Sequence, residues 1–240
     1  MRTKEEWRKA KPNSMFHRLI ELPILQGINL DNLEEILAQV PLHFETFQPN
    51  KVIFRQGDSC NGISFVLNGK FTVTHKEENE RYAITEEFEN NFTIEPTSMF
   101  GLKSEYFSTY KSMTEVHVLT IEKLNFLSLL SKFTIIQMNV FNMMNARTQI
   151  VQKRNWLISP NDIGQRMVHF ISCRLEKPEG AKTISVSFRT LGKLLNSSHI
   201  TVAMIAKEWE KYDLAQLSSK TIYIPDMAKL YSAVMGEEKE

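Results

Sequence analysis

Cysteine is scarce in this chain: Cys60 and Cys173 are the only two in 240 residues. Two thiols far apart exclude a disulfide framework, a four-thiolate iron–sulfur cluster and a paired Cys-x-x-Cys zinc site. Charge imbalance is missing too. Lys plus Arg number 29 against 28 Asp plus Glu, a formal charge of +1, so any charged partner must meet a local patch. Long apolar runs are also absent: the longest has five residues, Val202 to Ala206, far short of the roughly 20 that span a bilayer. Residues 1–12 are charged throughout and lead into no apolar stretch, unlike a secretory signal. A soluble protein of the reducing cytoplasm, without a membrane partner, is the expectation.

What is present is an ordinary soluble composition, 42% hydrophobic and 24% charged, enough for one or two cores. From His43 to Ile121 the chain reads as short strands cut by turns. Val52–Phe54 precedes Gln56-Gly57-Asp58, and Ile63–Leu67 meets Asn68-Gly69, the strongest short hairpin signal. Phe71–Thr74, Tyr82–Phe88, Phe92–Ile94 and Ser112–Ile121 continue the pattern, which predicts a small barrel or roll.

From Glu122 the texture changes, and Gly and Pro vanish until Pro160. Ile136, Val140, Met143, Arg147, Ile150, Arg154 and Leu157 are spaced 4, 3, 4, 3, 4, 3, which predicts a long helix with a heptad seam. A stripe this long exceeds what a small roll needs, so the seam is assigned to a parallel homodimer, with the two arginines setting register. Ser159-Pro160-Asn161-Asp162 then breaks the helix, forms a hinge and caps the next one.

Beyond the break, Leu191, Leu194 and Leu195 precede Asn196-Ser197-Ser198, and Thr201–Trp209 resumes a helical pattern. Two short helices flanking such a turn form a helix-turn-helix, with Ser187 and Ser198 as N-caps. Ser218–Thr221 separates Leu214–Leu217 from Ile222–Ile224, a hairpin wing. The order roll, long helix, hinge, helix-turn-helix and wing resembles the Crp/Fnr family of transcription regulators over nearly all of the chain after residue 22. Pro49-x-x-Val52-Ile53-Phe54-x-x-Gly57-Asp58 and Phe65-Val66-Leu67-x-Gly69-Lys70-x-x-Val73 are similar to the family's effector-domain signature. Leu191-Gly192-x-Leu194-Leu195-Asn196-x-Ser198-x-x-Thr201-Val202 resembles its helix-turn-helix, and Lys220–Ile224 its wing.

The resemblance implies an α+β chain in three parts: N-terminal helices and a β-roll of the cyclic-nucleotide-binding jelly-roll kind (1–121), a long dimerisation helix (122–159) and a winged helix-turn-helix (160–240). It also implies double-stranded DNA with an inverted-repeat operator, a second copy of the chain and RNA polymerase as partners.

The departures from the family are informative. Cyclic-nucleotide binders carry Gly-Glu-Leu and then Arg-Ser or Arg-Thr, for a ribose hydroxyl and the phosphate. Here the run is Ile94-Glu95-Pro96, and no arginine stands between Tyr82 and Ala146. Where the family's cyclic-AMP receptor offers hydroxyls to the base, Val151 and Gln152 appear. Cyclic AMP is therefore not expected, and Glu95, Tyr106, Lys111, Ser112, Val151 and Gln152 are the candidate effector-pocket residues for another ligand. No cofactor is predicted. Cys60 reads as a small apolar residue rather than a redox switch, and His43, His75 and His117 as strand histidines rather than haem ligands.

The DNA-contacting candidates are Ser187, Arg189, Ser197, Ser198, His199, Thr201, Lys207, Lys220 and Thr221. His199, Ile200 and Met204 stand where well-known readers place Arg, Glu and Arg, so the operator does not transfer from relatives. Residues 184–224 hold five Lys/Arg and three Asp/Glu, a net +2; the basic residues Arg2, Lys4, Arg8, Lys9 and Lys11 are a second source of phosphate contacts. A competing reading is a sensory or scaffold dimer whose helix-turn-helix binds DNA poorly. An enzyme ranks behind both: a cupin-like roll would need a His-x-His pair with a following Glu and His, and no nucleophile elbow, P-loop or dinucleotide fingerprint is present.

Overall fold

The computed structural model describes residues 15–156 and 159–236. The chain opens with α1 (Met15–Ile20), a 3-10 turn (Pro23–Leu25) and α2 (Leu30–Gln39). Asn29 starts α2 by accepting a hydrogen bond from the Asn32 N–H at 2.8 Å. Strands β1 (His43–Phe47), β2 (Val52–Phe54), β3 (Gly62–Asn68) and β4 (Lys70–Lys76) follow. Next come β5 (Tyr82–Glu89), β6 (Phe92–Ile94), β7 (Thr109–Ser112) and β8 (Val116–Glu122). Helices α3 (Lys123–Lys132), α4 (Thr134–Asn155) and α5 (Ile163–Ser172) lead to β9 (Lys182–Val186). The chain closes with α6 (Phe188–Leu194), α7 (His199–Lys211), β10 (Gln216–Leu217), β11 (Thr221–Ile224) and α8 (Met227–Met235).

Two sheets organise these strands. One has the order β1-β8-β3-β6; the other runs β10-β11-β9-β5-β4-β7-β2. Alternation along β4, where Phe71 and Val73 are buried, directs one face inward. Phe65, Phe71, Tyr110 and Phe126 fill the first core, and Met167, Ile184, Leu191, Val202 and Trp209 fill a second around α5–α8.

Three expectations are corrected here. Asn68-Gly69 is not a hairpin, since β3 and β4 lie in different sheets. The glycine turns the corner between them at φ +106°, where an added Cβ would lie 2.3 Å from the Glu115 carbonyl oxygen, so backbone approach explains it. The stretch expected as one strand from Ser112 to Ile121 is split, with β7 and β8 in different sheets. The long helix is interrupted at Phe133, where α3 and α4 meet at 115°.

The start of the heptad seam turns inward. Ile136 (0% exposed) and Val140 (6%) belong to the first core, and Asn139 donates to the carbonyls of Ile24 and Gln26 at 3.1 and 2.8 Å. Of that face, Ile136 and Val140 pack into the protomer's own core, Met143, Arg147 and Arg154 are half-buried, and Ile150 is 49% exposed; Leu157 lies outside the described residues. On the opposite side of α4, Met138 (51%) and Phe141 (55%) are exposed beside Ile135. No charged residue occurs from Thr134 to Ala146. Among the described residues no single helix is long and apolar enough to cross a membrane.

The second sheet is continuous from the roll into the C-terminal core. β9 pairs antiparallel with β5, from Tyr82 opposite Val186 to Glu86 opposite Lys182. At one end of this junction the Lys182 ammonium lies 2.9 Å from the Glu86 carboxylate, with the two side chains 1% and 5% exposed. Glu86 also accepts the backbone N–H groups of Glu176 (2.7 Å) and Lys177 (3.2 Å). At the other end Arg174 donates to the Tyr82 hydroxyl at 2.9 Å and lies over the Phe170 ring.

Candidate functional site

Two regions can do chemistry. The first is the loop between β6 and β7 together with the cleft beneath α4. Glu95 is buried, and both its carboxylate oxygens accept from protein donors. Its carboxylate takes the Ser98 hydroxyl at 2.6 Å, the Phe107 N–H at 2.6 Å and the Tyr110 hydroxyl at 3.1 Å. Burial raises the Tyr110 and Tyr106 pKa values above the ordinary tyrosine range, so both hydroxyls stay protonated. Tyr106 stacks on Phe54 at 4.4 Å and belongs to the core. Ser112 donates to the Gln48 and Lys51 carbonyls, closing the β1–β2 loop, and Lys111 is exposed. Of the six expected effector residues, only Val151 and Gln152 reach the cleft.

That cleft has a volume of about 540 Å³. Its aromatic floor is Phe88 and Phe92, 4.7 Å apart, and Thr97 comes from the β6–β7 loop. Arg147, Ile150 and Arg154 descend from α4, and Leu175 and Glu176 close it from the segment leading into the C-terminal core. Arg147 pairs with the Glu176 carboxylate. Loss of water pushes the Glu176 carboxyl above the usual range; Arg147 opposes this, and Glu86 and Glu95 add to it. The two arginines were in plain view as interruptions of the seam. Their spacing of seven residues, two helical turns, puts both on one face, and that was the signal for a shared cationic site.

The second region is the α6–α7 pair. Ser187 and Ser198 cap the two helices, accepting from the Thr190 N–H (3.1 Å) and the Thr201 N–H (3.0 Å). The Thr201 and Ser198 hydroxyls are 2.9 Å apart, so the Ser187, Ser198 and Thr201 side chains are engaged inside the domain. At Gly192 an added Cβ would lie 2.9 Å from the Ser197 carbonyl oxygen and 3.1 Å from the His199 nitrogen; the glycine sets the crossing of the pair. Asn196 takes φ 51° in the turn. Val202, Ala206 and Trp209 are buried, whereas Ile200 (61%), Met204 (66%) and Lys207 line an exposed face with His199. Arg189, Lys193 and Lys220 are exposed nearby, and Ser197 and Thr221 are half-buried. Glu210 holds the adjoining hairpin by accepting the Leu217 N–H at 3.0 Å. Arg2, Lys4, Arg8, Lys9 and Lys11 lie outside the described residues.

Among the described residues no group of three or more His, Cys, Asp or Glu side chains is placed to hold a metal. His43 pairs with Glu122, His117 with Glu115, and His75 stacks on Phe107 at 3.8 Å. Cys60 is buried, which raises its thiol pKa.

Comparison with known proteins assigns part of this architecture. Residues 44–133 match the cyclic nucleotide-binding domain family, so this segment is a domain of that kind. No curated protein matches the chain. Among solved structures the chain is similar to the catabolite activator protein of Thermus thermophilus, with 15% identity over 89% of this chain and 99% of that one, TM-score 0.48. It is similar to the c-di-GMP-responsive global regulator CLP of Xanthomonas campestris, with 15% identity over 82% and 99%, TM-score 0.46. It is also similar to the sensor domain of the transcriptional regulator DNR of Pseudomonas aeruginosa, with 16% identity over 61% and 94%, TM-score 0.49. The residues present do not fit a cyclic nucleotide in the β6–β7 loop: the carboxylate for the ribose is already bonded, and no arginine stands between Tyr82 and Ala146 for the phosphate.

Proposed function

We propose that this chain is a homodimeric, DNA-binding transcription regulator of the Crp/Fnr type, whose roll senses an effector other than cyclic AMP. The carrying observation is the exposed face of α7, where Ile200, Met204 and Lys207 stand clear of a helix whose other side is packed by Val202, Ala206 and Trp209. A helix buried on one side and presenting apolar, imidazole and ammonium groups on the other suits a major groove, where thymine methyls and phosphates meet those groups. The cyclic nucleotide-binding domain at 44–133 supports the sensory half of the reading. In this reading residues 160–240 form a winged helix-turn-helix, the β10–β11 turn with Lys220 and Thr221 is the wing, and Arg189, Lys207 and Lys220 hold phosphates.

The dimer forms through the uncharged stripe Ile135, Met138 and Phe141 rather than the heptad seam, because Ile136 and Val140 of the seam are packed into the protomer's own core. A two-fold axis along α4 sets two copies of α7 to read successive major grooves about 34 Å apart. Selection from a random DNA pool with the purified full chain tests the function: an enriched inverted repeat is expected. No enrichment at low salt leaves the scaffold dimer as the better account.

A further inference from the structure

The cleft beneath α4 has a composition that specifies its ligand. Phe88 and Phe92, their rings tilted 55° to each other, supply its aromatic lining, Ile150 and Val151 add aliphatic lining, and the cationic groups are Arg147 and Arg154. Among the described residues the ion pair of Arg147 is with Glu176, which belongs to the segment that joins α5 to β9. The same segment is fastened to the roll where the N–H groups of Glu176 and Lys177 both bond the Glu86 carboxylate, and to β9 where the Glu179 carbonyl accepts from Lys182 at 2.7 Å. Arg154 is less committed, its contact being the Cys173 carbonyl at 3.4 Å.

We infer that the cleft binds a small organic anion, an aromatic or aliphatic apolar body carrying a compact phosphate or carboxylate head, and that this head takes Arg147 from Glu176. The inference rests on the sensory role proposed above and names its ligand class and its regulation. Glu176 is a built-in competitor: it satisfies the guanidinium when no ligand is bound. An arriving anion with two or three acceptor oxygens bonds Arg147 and Arg154 together, which one carboxylate at the edge of the cleft does not. Displaced, Glu176 loses its partner beside two other carboxylates, Glu86 and Glu95, and swings toward water. Its backbone N–H and that of Lys177 leave Glu86 with it, and the β5–β9 junction loosens at the Lys182 end. The ligand thereby changes how the C-terminal core is held on the roll.

The test uses the full chain with 1-naphthyl phosphate as the probe, and 1-naphthol as the same body without the head. Calorimetry is run on the wild type, Glu176→Gln and Arg147→Gln. Both substitutions break the same ion pair, so a merely structural pair predicts the same direction for both. The inference predicts opposite directions: Glu176→Gln tightens naphthyl phosphate binding about tenfold by removing the competitor, and Arg147→Gln weakens it by at least about tenfold, the worth of one charge-assisted hydrogen bond. If Arg147→Gln does not fold, Arg154→Gln gives the same loss of affinity, since it removes the second cation without touching Glu176. Naphthol binding as tight as the phosphate, or no binding to Glu176→Gln at millimolar probe, overturns the site. Hydrogen exchange then reads the latch: saturating naphthyl phosphate speeds exchange at Glu176, Lys177 and the β9 amides of the wild type, and binding without that change overturns it. Neither measurement involves DNA, so a failed operator selection and a failed cleft are separate results.

Discussion

Replacing Lys182 by Met leaves the Glu86 carboxylate buried without its counter-ion. The pair is 2.9 Å apart with side chains 1% and 5% exposed, so water does not reach the orphaned charge without prising β9 from β5. Breaking a buried pair from one side typically costs about 3–5 kcal/mol. Two features locate this case at the low end. Met fills most of the lysine volume, and the carboxylate keeps the Glu176 and Lys177 N–H groups as donors. The Glu179 carbonyl also loses its donor, adding about 1 kcal/mol. A net loss of about 3–4 kcal/mol is expected, a drop of roughly 6–16 °C in the unfolding midpoint for a chain of this size. Guanidinium unfolding followed through the buried Trp209 is the assay. The double variant Glu86→Gln/Lys182→Met removes the stranded charge while its carboxamide oxygen still accepts one of the two N–H groups, which bond different carboxylate oxygens in the wild type, so it should recover part of the loss. A single variant within 1 kcal/mol of wild type, or a double variant as unstable as the two single losses added, would refute the assignment of the junction to this ion pair.

Met138→Glu with Phe141→Glu places like charges across the proposed two-fold and should give folded monomers by solution scattering with unchanged circular dichroism, whereas Val140→Glu should unfold the chain because it buries an unpaired carboxylate; a dimer surviving the first pair removes that face from the interface. Lys207→Ala should weaken binding to all DNA sequences alike and lower the salt slope by about one, while Met204→Ala relaxes preference at particular base pairs; a sequence-selective effect of Lys207→Ala in a binding titration contradicts the phosphate assignment. Gly192→Val should destabilise the C-terminal core by about 1–3 kcal/mol, because its Cβ meets the Ser197 carbonyl, and a thermal midpoint equal to wild type argues against the close crossing. The Glu77 carboxyl, held at about 2 by its hydrogen bonds from Arg81 and Asn79, keeps the β4–β5 turn bonded as pH falls past the ordinary glutamate range, and that stability is lost only as pH passes through about 2; an NMR titration midpoint at 4 or above refutes this.

Local signals were readable wherever the cause is local. Strand alternation in β4, the caps Ser187, Ser198 and Asp162, and the turn at Asn196 follow from side-chain chemistry within a few residues, and each lies where the pattern places it. Matters involving distant partners were not readable in the same way. A heptad shows that one helix face is buried, not what buries it: Ile136 and Val140 read identically whether they meet a second copy or the turn at residues 23–26. The same face leaves the core at Arg147 and passes over the cleft, so two arginines that look like interruptions of a seam become the lining of a site. Asn68-Gly69 carries the signature of a hairpin, yet the requirement at Gly69 is set by the Glu115 carbonyl, which lies far away in sequence and close in space. The β5–β9 pairing has no local signature at all, since backbone hydrogen bonds between strand edges are indifferent to side-chain identity; the register is marked by pairs across the junction, Ile84 with Ile184 in the second core and the buried Glu86 with Lys182. Sequence determined most of the strands and helices and the periodicity of their buried faces, though not the break at Phe133, the split between β7 and β8 or strand β9; the tertiary structure alone decided which buried faces meet, because that choice depends on contacts between residues separated by more than 100 positions of chain, where periodicity carries no information.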